Sequence, residues 1–91
     1  MTKREKNLYQ RFIDLDKRIR YQGILRASHV GYLYQLAIEA AHQGYEELLY
    51  YISEVLSSDY IPYFRYRPGT KWEQSFNTNF ENIHLLLNSA L

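Results

Sequence analysis

The sequence contains no cysteine, and its 91 residues include only two prolines and four glycines. Without cysteine there are no disulfide bonds and no thiolate metal sites, so a domain this small must be stabilised by packing alone or by packing against a partner. The absence of cysteine also favours a reducing compartment, and we expect a cytoplasmic protein. The four glycines are too dispersed to form a phosphate-binding loop.

Long apolar runs are missing as well. The longest stretch free of Asp, Glu, Lys and Arg is Ala27 to Ile38, which has 12 residues, whereas a membrane-spanning helix needs about 18 or more apolar residues. Near the N-terminus, Arg11 and Asp14 interrupt the apolar run that a secretory signal requires. We therefore expect neither a signal sequence nor a membrane anchor.

The residues that are present indicate a folded protein. Hydrophobic residues make up 46% of the chain, aromatic residues 16% and charged residues 23%, which is far from the composition of a disordered chain. A chain of this length has room for one core only. We predict a single helical domain over residues 1–91.

Hydrophobic residues recur at helical spacing in four segments. The first opens with Thr2 and Glu5 at capping-box spacing, and Gly23 is predicted to end it. The second has Ser28 as its expected N-cap and Gly44 as its C-terminal cap. The pattern predicts an all-α fold, a compact bundle of four short amphipathic helices at about residues 3–21, 29–43, 45–57 and 71–90.

The number of helices depends on the glycines. If the chain passes through Gly23 or Gly44 as a kink, two helices merge and the bundle has three members. The merged helix would expose apolar surface that a second copy of the chain could cover, which leaves homo-oligomerisation open. The fourth helix opens at Thr70 and Glu73, which repeat the capping-box spacing of the first.

Charge is segregated along the chain although the net charge is only +1. Residues 1–26 contain eight basic and three acidic residues, a net charge of +5, whereas residues 27–59 contain no Lys or Arg and have a net charge of −5. In one interpretation the basic first helix lies beside the acidic second and third helices. In the other, the two poles meet different surfaces, either an acidic partner or the opposite pole of another copy.

The segment between the third and fourth helices is predicted to be a loop, because it contains Pro62 and a Pro-Gly turn. Its residues 60–67 carry four aromatic rings and two arginines. Tyr and Arg are enriched at protein interfaces, and rings interleaved with arginine also suit stacking on unpaired bases. A third interpretation is a lid on the core. The candidate partner-binding residues are Tyr60, Tyr63, Phe64, Arg65, Tyr66 and Arg67.

Catalytic and metal-binding patterns are weak. His29, His42 and His84 do not have the i, i+4 spacing of a helical zinc site, and no cysteine could complete one. Ser28 next to His29 does not by itself supply the geometry that nucleophilic catalysis needs. We therefore predict no enzymatic activity, no metal and no cofactor.

These features predict a small, tyrosine-rich, non-enzymatic protein-binding module such as an inhibitor, an immunity-type protein, a regulator or an assembly adaptor. Its partner would be another protein, contacted through residues 60–67 and the basic first helix. The alternative is a single-stranded nucleic-acid-binding protein that uses the same segment together with the helix 1 basic residues, Arg18, Arg20 and Arg26. Candidate residues for electrostatic contact are Arg11, Arg18, Arg20 and Arg26.

Overall fold

The computed structural model describes residues 2–57, 63–65 and 71–90. The order of elements is α1 (Lys3–Gln22), β1 (Ile24–Arg26), α2 (Ala27–Gln43), α3 (Glu46–Ser57), β2 (Tyr63–Arg65) and α4 (Lys71–Ala90). The predicted bundle of four helices is confirmed, and the predicted ends lie within two residues of the observed ones. Two short strands, which the sequence did not predict, are added to it.

Glycine ends α1 and α2, as predicted. Gly23 has φ 66° and Gly44 has φ 76°, in the left-handed region that residues with a Cβ rarely adopt. The backbone N–H of Gly23 donates to the carbonyl of Ile19 at 2.8 Å, which closes the last turn of α1. The chain therefore turns at both glycines, and the helices do not merge into a three-helix bundle.

The N-terminal cap of α1 is also as predicted. The hydroxyl of Thr2 accepts a hydrogen bond from the backbone N–H of Glu5 at 3.1 Å, which satisfies one of the donors left free in the first turn. The capping pair predicted at Thr70 and Glu73 involves a residue and a side chain outside the described part of the structure.

The start of α2 differs from the prediction. Ser28 is not the N-cap, because the helix begins at Ala27, two residues before the predicted start at residue 29. Arg26 has extended backbone angles, φ −94° and ψ 159°, since it ends β1. Its backbone N–H donates to Nδ1 of His29 at 3.3 Å. A strand that runs directly into the helix thus sets the boundary, and an imidazole at the third helical position accepts a bond from the residue before the helix.

The two strands form a parallel ribbon, and the helix–strand–helix order occurs twice in the chain. Ile24 pairs with Tyr63, Leu25 with Phe64 and Arg26 with Arg65. The predicted loop over residues 60–69 therefore needs correction over its described part, which is β2. Aromatic residues favour extended structure, and β1 supplies the backbone donors and acceptors for pairing.

All four helices and β1 contribute to the hydrophobic core, and α2 packs most extensively against α4. Ala37 and Ala40 of α2 are fully buried, and their small side chains let neighbouring helices approach closely. Leu25 brings β1 into the same core. No helix in the described ranges combines the length and the apolar character that crossing a membrane requires. The largest fully buried side chains are Leu8, Ile19, Leu25, Leu33, Leu48, Leu49, Ile52, Ile83 and Val30.

Replacing glycine by alanine should have opposite effects at two positions. Gly44→Ala places a Cβ at positive φ, and we expect a loss of about 1–2 kcal/mol in the free energy of unfolding. Gly31 lies inside α2, where an added Cβ would meet only Nδ2 of Asn79 at 3.7 Å, an ordinary contact distance. Gly31→Ala should therefore stabilise the protein by about 0.5–1 kcal/mol. Urea denaturation measures both changes, and two changes of the same sign would contradict the helix boundaries.

Candidate partner-binding site

The aromatic and arginine-rich segment predicted as the contact region is only partly described. The backbone of Tyr63–Arg65 forms β2. Tyr60, Tyr66 and Arg67 lie outside the described residues, so their place in a site stays a prediction. The lid, protein-contact and nucleic-acid interpretations of the segment stay predictions as well.

The parallel ribbon brings two predicted contact residues together from distant parts of the chain. Arg65 holds the register position opposite Arg26, and Phe64 holds the position opposite Leu25. Leu25 is buried in the core, whereas Arg26 is exposed and has no ion pair with any other described residue. We call Arg26 and Arg65 the basic end of the ribbon.

The three predicted arginines of α1 differ in their ion pairs. Nη1 of Arg11 lies 3.3 Å from Oε2 of Glu39, which connects basic α1 to acidic α2 and supports charge complementarity within the molecule. Nε of Arg20 lies 3.0 Å from Oδ2 of Asp16, one turn earlier in α1. Arg18 is exposed and makes no ion pair within the described ranges. Within the part of the chain that the structure describes, Arg18 is therefore the member of this group whose charge has no ionic partner.

A cluster of rings between α1 and α3 was not predicted from the sequence. We call it the aromatic face, and it consists of Tyr9, Phe12, Tyr50 and Tyr51. The ring centroid of Tyr51 lies 6.5 Å from that of Tyr9, 6.4 Å from that of Phe12 and 6.1 Å from that of Tyr50. Phe12 is buried, but Tyr50 is 54% exposed and Tyr51 is 37% exposed. The sequence does contain one indication of an exposed aromatic surface, because Tyr50 and Tyr51 lie outside the apolar stripe of their helix.

Two carboxylates border the aromatic face. The hydroxyl of Tyr51 donates to Oε1 of Glu47 at 2.9 Å, and this bond is the main reason that the pKa of Tyr51 is raised. Hydrogen bonding to Glu54 raises the pKa of Tyr50 in the same way. Burial, and then the charge of Glu47, raises the pKa of Tyr9. The carboxylates therefore keep these phenols protonated and restrain the orientation of the exposed rings.

The histidines take separate places in the structure. His29 is buried and accepts the backbone N–H of Arg26. The ring of His84 packs edge-on against Phe80, with centroids 4.6 Å apart. His42 lies in an open groove between α1 and α2, of about 450 Å³. Across the described residues, no group of three or more His, Asp and Glu side chains could hold a metal ion. The groove is lined by Arg4, Asn7, Leu8, Ile38, Glu39, His42 and Gln43.

Comparison with protein-family models, with curated proteins and with solved structures finds no match for this chain. The function is therefore inferred from the chemistry of a surface described above, the basic end of the ribbon.

Removing the carboxylate of Glu54 should lower the pKa of Tyr50 toward its ordinary value of about 10. The negative charge that raises it is lost, and a glutamine amide oxygen accepts only a weaker, neutral hydrogen bond from the hydroxyl. The measurement is the alkaline titration of the Tyr50 ζ-carbon NMR signal in Glu54→Gln, assigned with Tyr50→Phe. Glu46→Gln is the matched control, since Glu46 lies in the same helix and contributes to none of the three shifts.

The raised pKa values of these tyrosines predict how the stability of the protein changes with pH. A phenol whose pKa is higher in the folded than in the unfolded chain stabilises the fold while it is protonated, so this contribution is lost as the pH rises above about 10. The alkaline loss of stability should be smaller in Glu54→Gln than in Glu46→Gln. Equal titration of Tyr50 in the two variants would contradict the contact with Glu54.

Proposed function

We propose that the chain is a small non-enzymatic protein-binding module, of the inhibitor, immunity-type, regulator or adaptor kind, that contacts an acidic partner surface through the basic end of the ribbon. The observation that supports this function most is the register that places Arg65 opposite Arg26. It joins the aromatic and arginine-rich segment to an exposed cation from the basic residues 1–26.

Like charges in register on neighbouring strands repel each other, because the strands lie only about 4.8 Å apart. Carboxylates of a partner relieve this repulsion, and a guanidinium group binds a carboxylate through two parallel hydrogen bonds. An acidic protein surface is therefore the partner that best suits the basic end of the ribbon.

The ribbon also lowers the entropic cost of binding. Leu25 fixes β1 in the core, and pairing with β1 holds the backbone of Tyr63–Arg65 in an extended conformation before any partner arrives. A preformed contact segment loses less conformational freedom on association than a flexible loop does. Aromatic and arginine residues in such a segment are typical of the few residues that dominate binding energy at protein interfaces.

Single-stranded nucleic acid is the second candidate partner, and the same pair of arginines favours it. Phosphates would pair with the positive charges of Arg26 and Arg65 as carboxylates do, and the rings of the segment suit base stacking. The salt dependence of binding identifies a nucleic-acid partner. For each phosphate that is neutralised, the logarithm of the binding constant for a single strand falls by about 0.7 for each tenfold rise in salt concentration.

The experiment compares capture of binding proteins from the native cell by the wild-type chain and by the double variant Tyr63→Ala with Arg65→Ala. We expect the double variant to capture at least about tenfold less of the partner than the wild-type chain does. A tenfold change in affinity corresponds to about 1.4 kcal/mol, which two interface residues commonly contribute. The matched control is Tyr32→Ala with Lys17→Ala, an exposed tyrosine and an exposed cation on other surfaces.

Two measurements accompany the capture experiment. Helical circular dichroism must be retained by the double variant, since its loss would show that the segment is a lid on the core. Labelled single-stranded RNA and DNA are titrated at increasing salt, and tight binding that weakens steeply would replace the acidic protein by a nucleic acid as partner. Equal capture by the double variant and its control would refute the contact role of residues 63 and 65.

A further inference from the structure

We propose that the aromatic face, together with Glu47 and Glu54, binds an arginine-containing basic segment of a partner protein. This surface lies between α1 and α3 and shares no residue with the basic end of the ribbon. The proposal is therefore independent of the function proposed above, and each can fail without the other.

The placement of rings and carboxylates suits a guanidinium group. Tyr50 and Tyr51 are neighbours with partly exposed rings inclined at 59° to each other. Glu47 lies one helical turn before the two tyrosines and Glu54 one turn after them, so the carboxylates border the rings at both ends along α3. A cation within about 6 Å of a ring centroid gains attraction from the π face, and the carboxylates add direct charge pairing.

The charge of this surface is not compensated within the described structure. Residues 27–59 contain no Lys or Arg, and neither Glu47 nor Glu54 forms an ion pair with a described residue. Among the described residues, the carboxylates in ion pairs with arginines of α1 are those of Glu39 and Asp16. Exposed rings beside carboxylates that form no ion pair with a described residue are complementary to a basic partner, and an acidic partner would be repelled.

Arginine fits this surface better than lysine or an apolar side chain. The planar guanidinium group stacks on a tyrosine ring and can still donate to a carboxylate from its edge, whereas ammonium is a strongly hydrated point charge. An apolar residue would cover Glu47 and Glu54 without replacing the water that solvates them, which costs free energy. A peptide segment that carries several arginines is therefore the expected occupant.

The test uses fluorescence anisotropy of a labelled dodecapeptide of alternating arginine and serine, with lysine and glutamate versions of the same peptide. We expect the arginine peptide to bind the intact chain at low salt and the lysine peptide to bind more weakly. Any binding of the glutamate peptide should not depend on residues of the aromatic face. The double variant Glu47→Gln with Glu54→Gln should weaken binding of the arginine peptide by about five- to tenfold.

The ring contribution is tested at Tyr50, which is exposed enough to be replaced without disturbing the core. Tyr50→Leu removes the π face but keeps apolar surface, and should weaken binding about two- to fivefold. Tyr50→Phe keeps the π face and should bind within about twofold of the wild type. The matched controls, Glu46→Gln and Tyr32→Leu, change the same residue types at exposed positions outside the face and should leave binding unchanged.

Three outcomes would overturn the proposal. If Glu46→Gln weakens binding as much as the double variant Glu47→Gln with Glu54→Gln, the peptide responds only to net charge. Equal binding by Tyr50→Leu and the wild type would remove the rings from the interaction. Light scattering that shows a dimer of the wild-type chain, lost in the Glu47 and Glu54 double variant, would assign this face to a second copy of the chain instead.

Discussion

Burial of the apolar face of α2 against the other elements is the interaction on which the structure depends. α2 contacts α1, α3, α4 and β1, and it contributes residues without exposed surface such as Val30, Leu33 and Ala37. A chain with no disulfide bond has no covalent restraint on its unfolded state, so the free energy of folding must come from this packing. Small residues on α2 matter because they let α4 lie close enough to bury its own apolar stripe.

The surfaces follow from how the core is filled. Because the apolar stripe of α1 faces inward, its flanks are left to meet different neighbours. One flank supplies Arg11 to Glu39 of α2, while the other places Tyr9 against Tyr51 of α3. The charge segregation seen in the sequence is therefore partly compensated between α1 and α2. No described residue forms an ion pair with Glu54 on α3 or with Arg26 at the end of β1.

The sequence predicts features set by local periodicity and misses those that need two distant segments. The helices were predictable because apolar spacing and the glycines at 23 and 44 act within a few residues. The ribbon was not, because a three-residue strand has no periodic signal and the pairing of Arg26 with Arg65 depends on tertiary placement. The N-cap at Ser28 was predicted wrongly for the same reason, since β1 fixes the residue before α2. The aromatic face needs α1 and α3 to meet, which no single segment reveals.

Opposite charge at the two proposed surfaces restricts the kind of module this chain can be. A single rigid partner patch of one sign cannot satisfy both, because carboxylates that suit Arg26 are repelled by Glu54 and the reverse holds for arginines. An inhibitor that covers one site on one target needs only one of the surfaces. Two separate surfaces suit an adaptor, and opposite charge would let each of the two proposed surfaces select a different partner. If the basic end of one copy bound the aromatic face of the next, the contact would be head-to-tail. Head-to-tail contacts form open chains of copies unless the rotation between copies closes them into a ring. Separate partners bound at the two surfaces would prevent such association between copies, because an occupied surface cannot contact another copy.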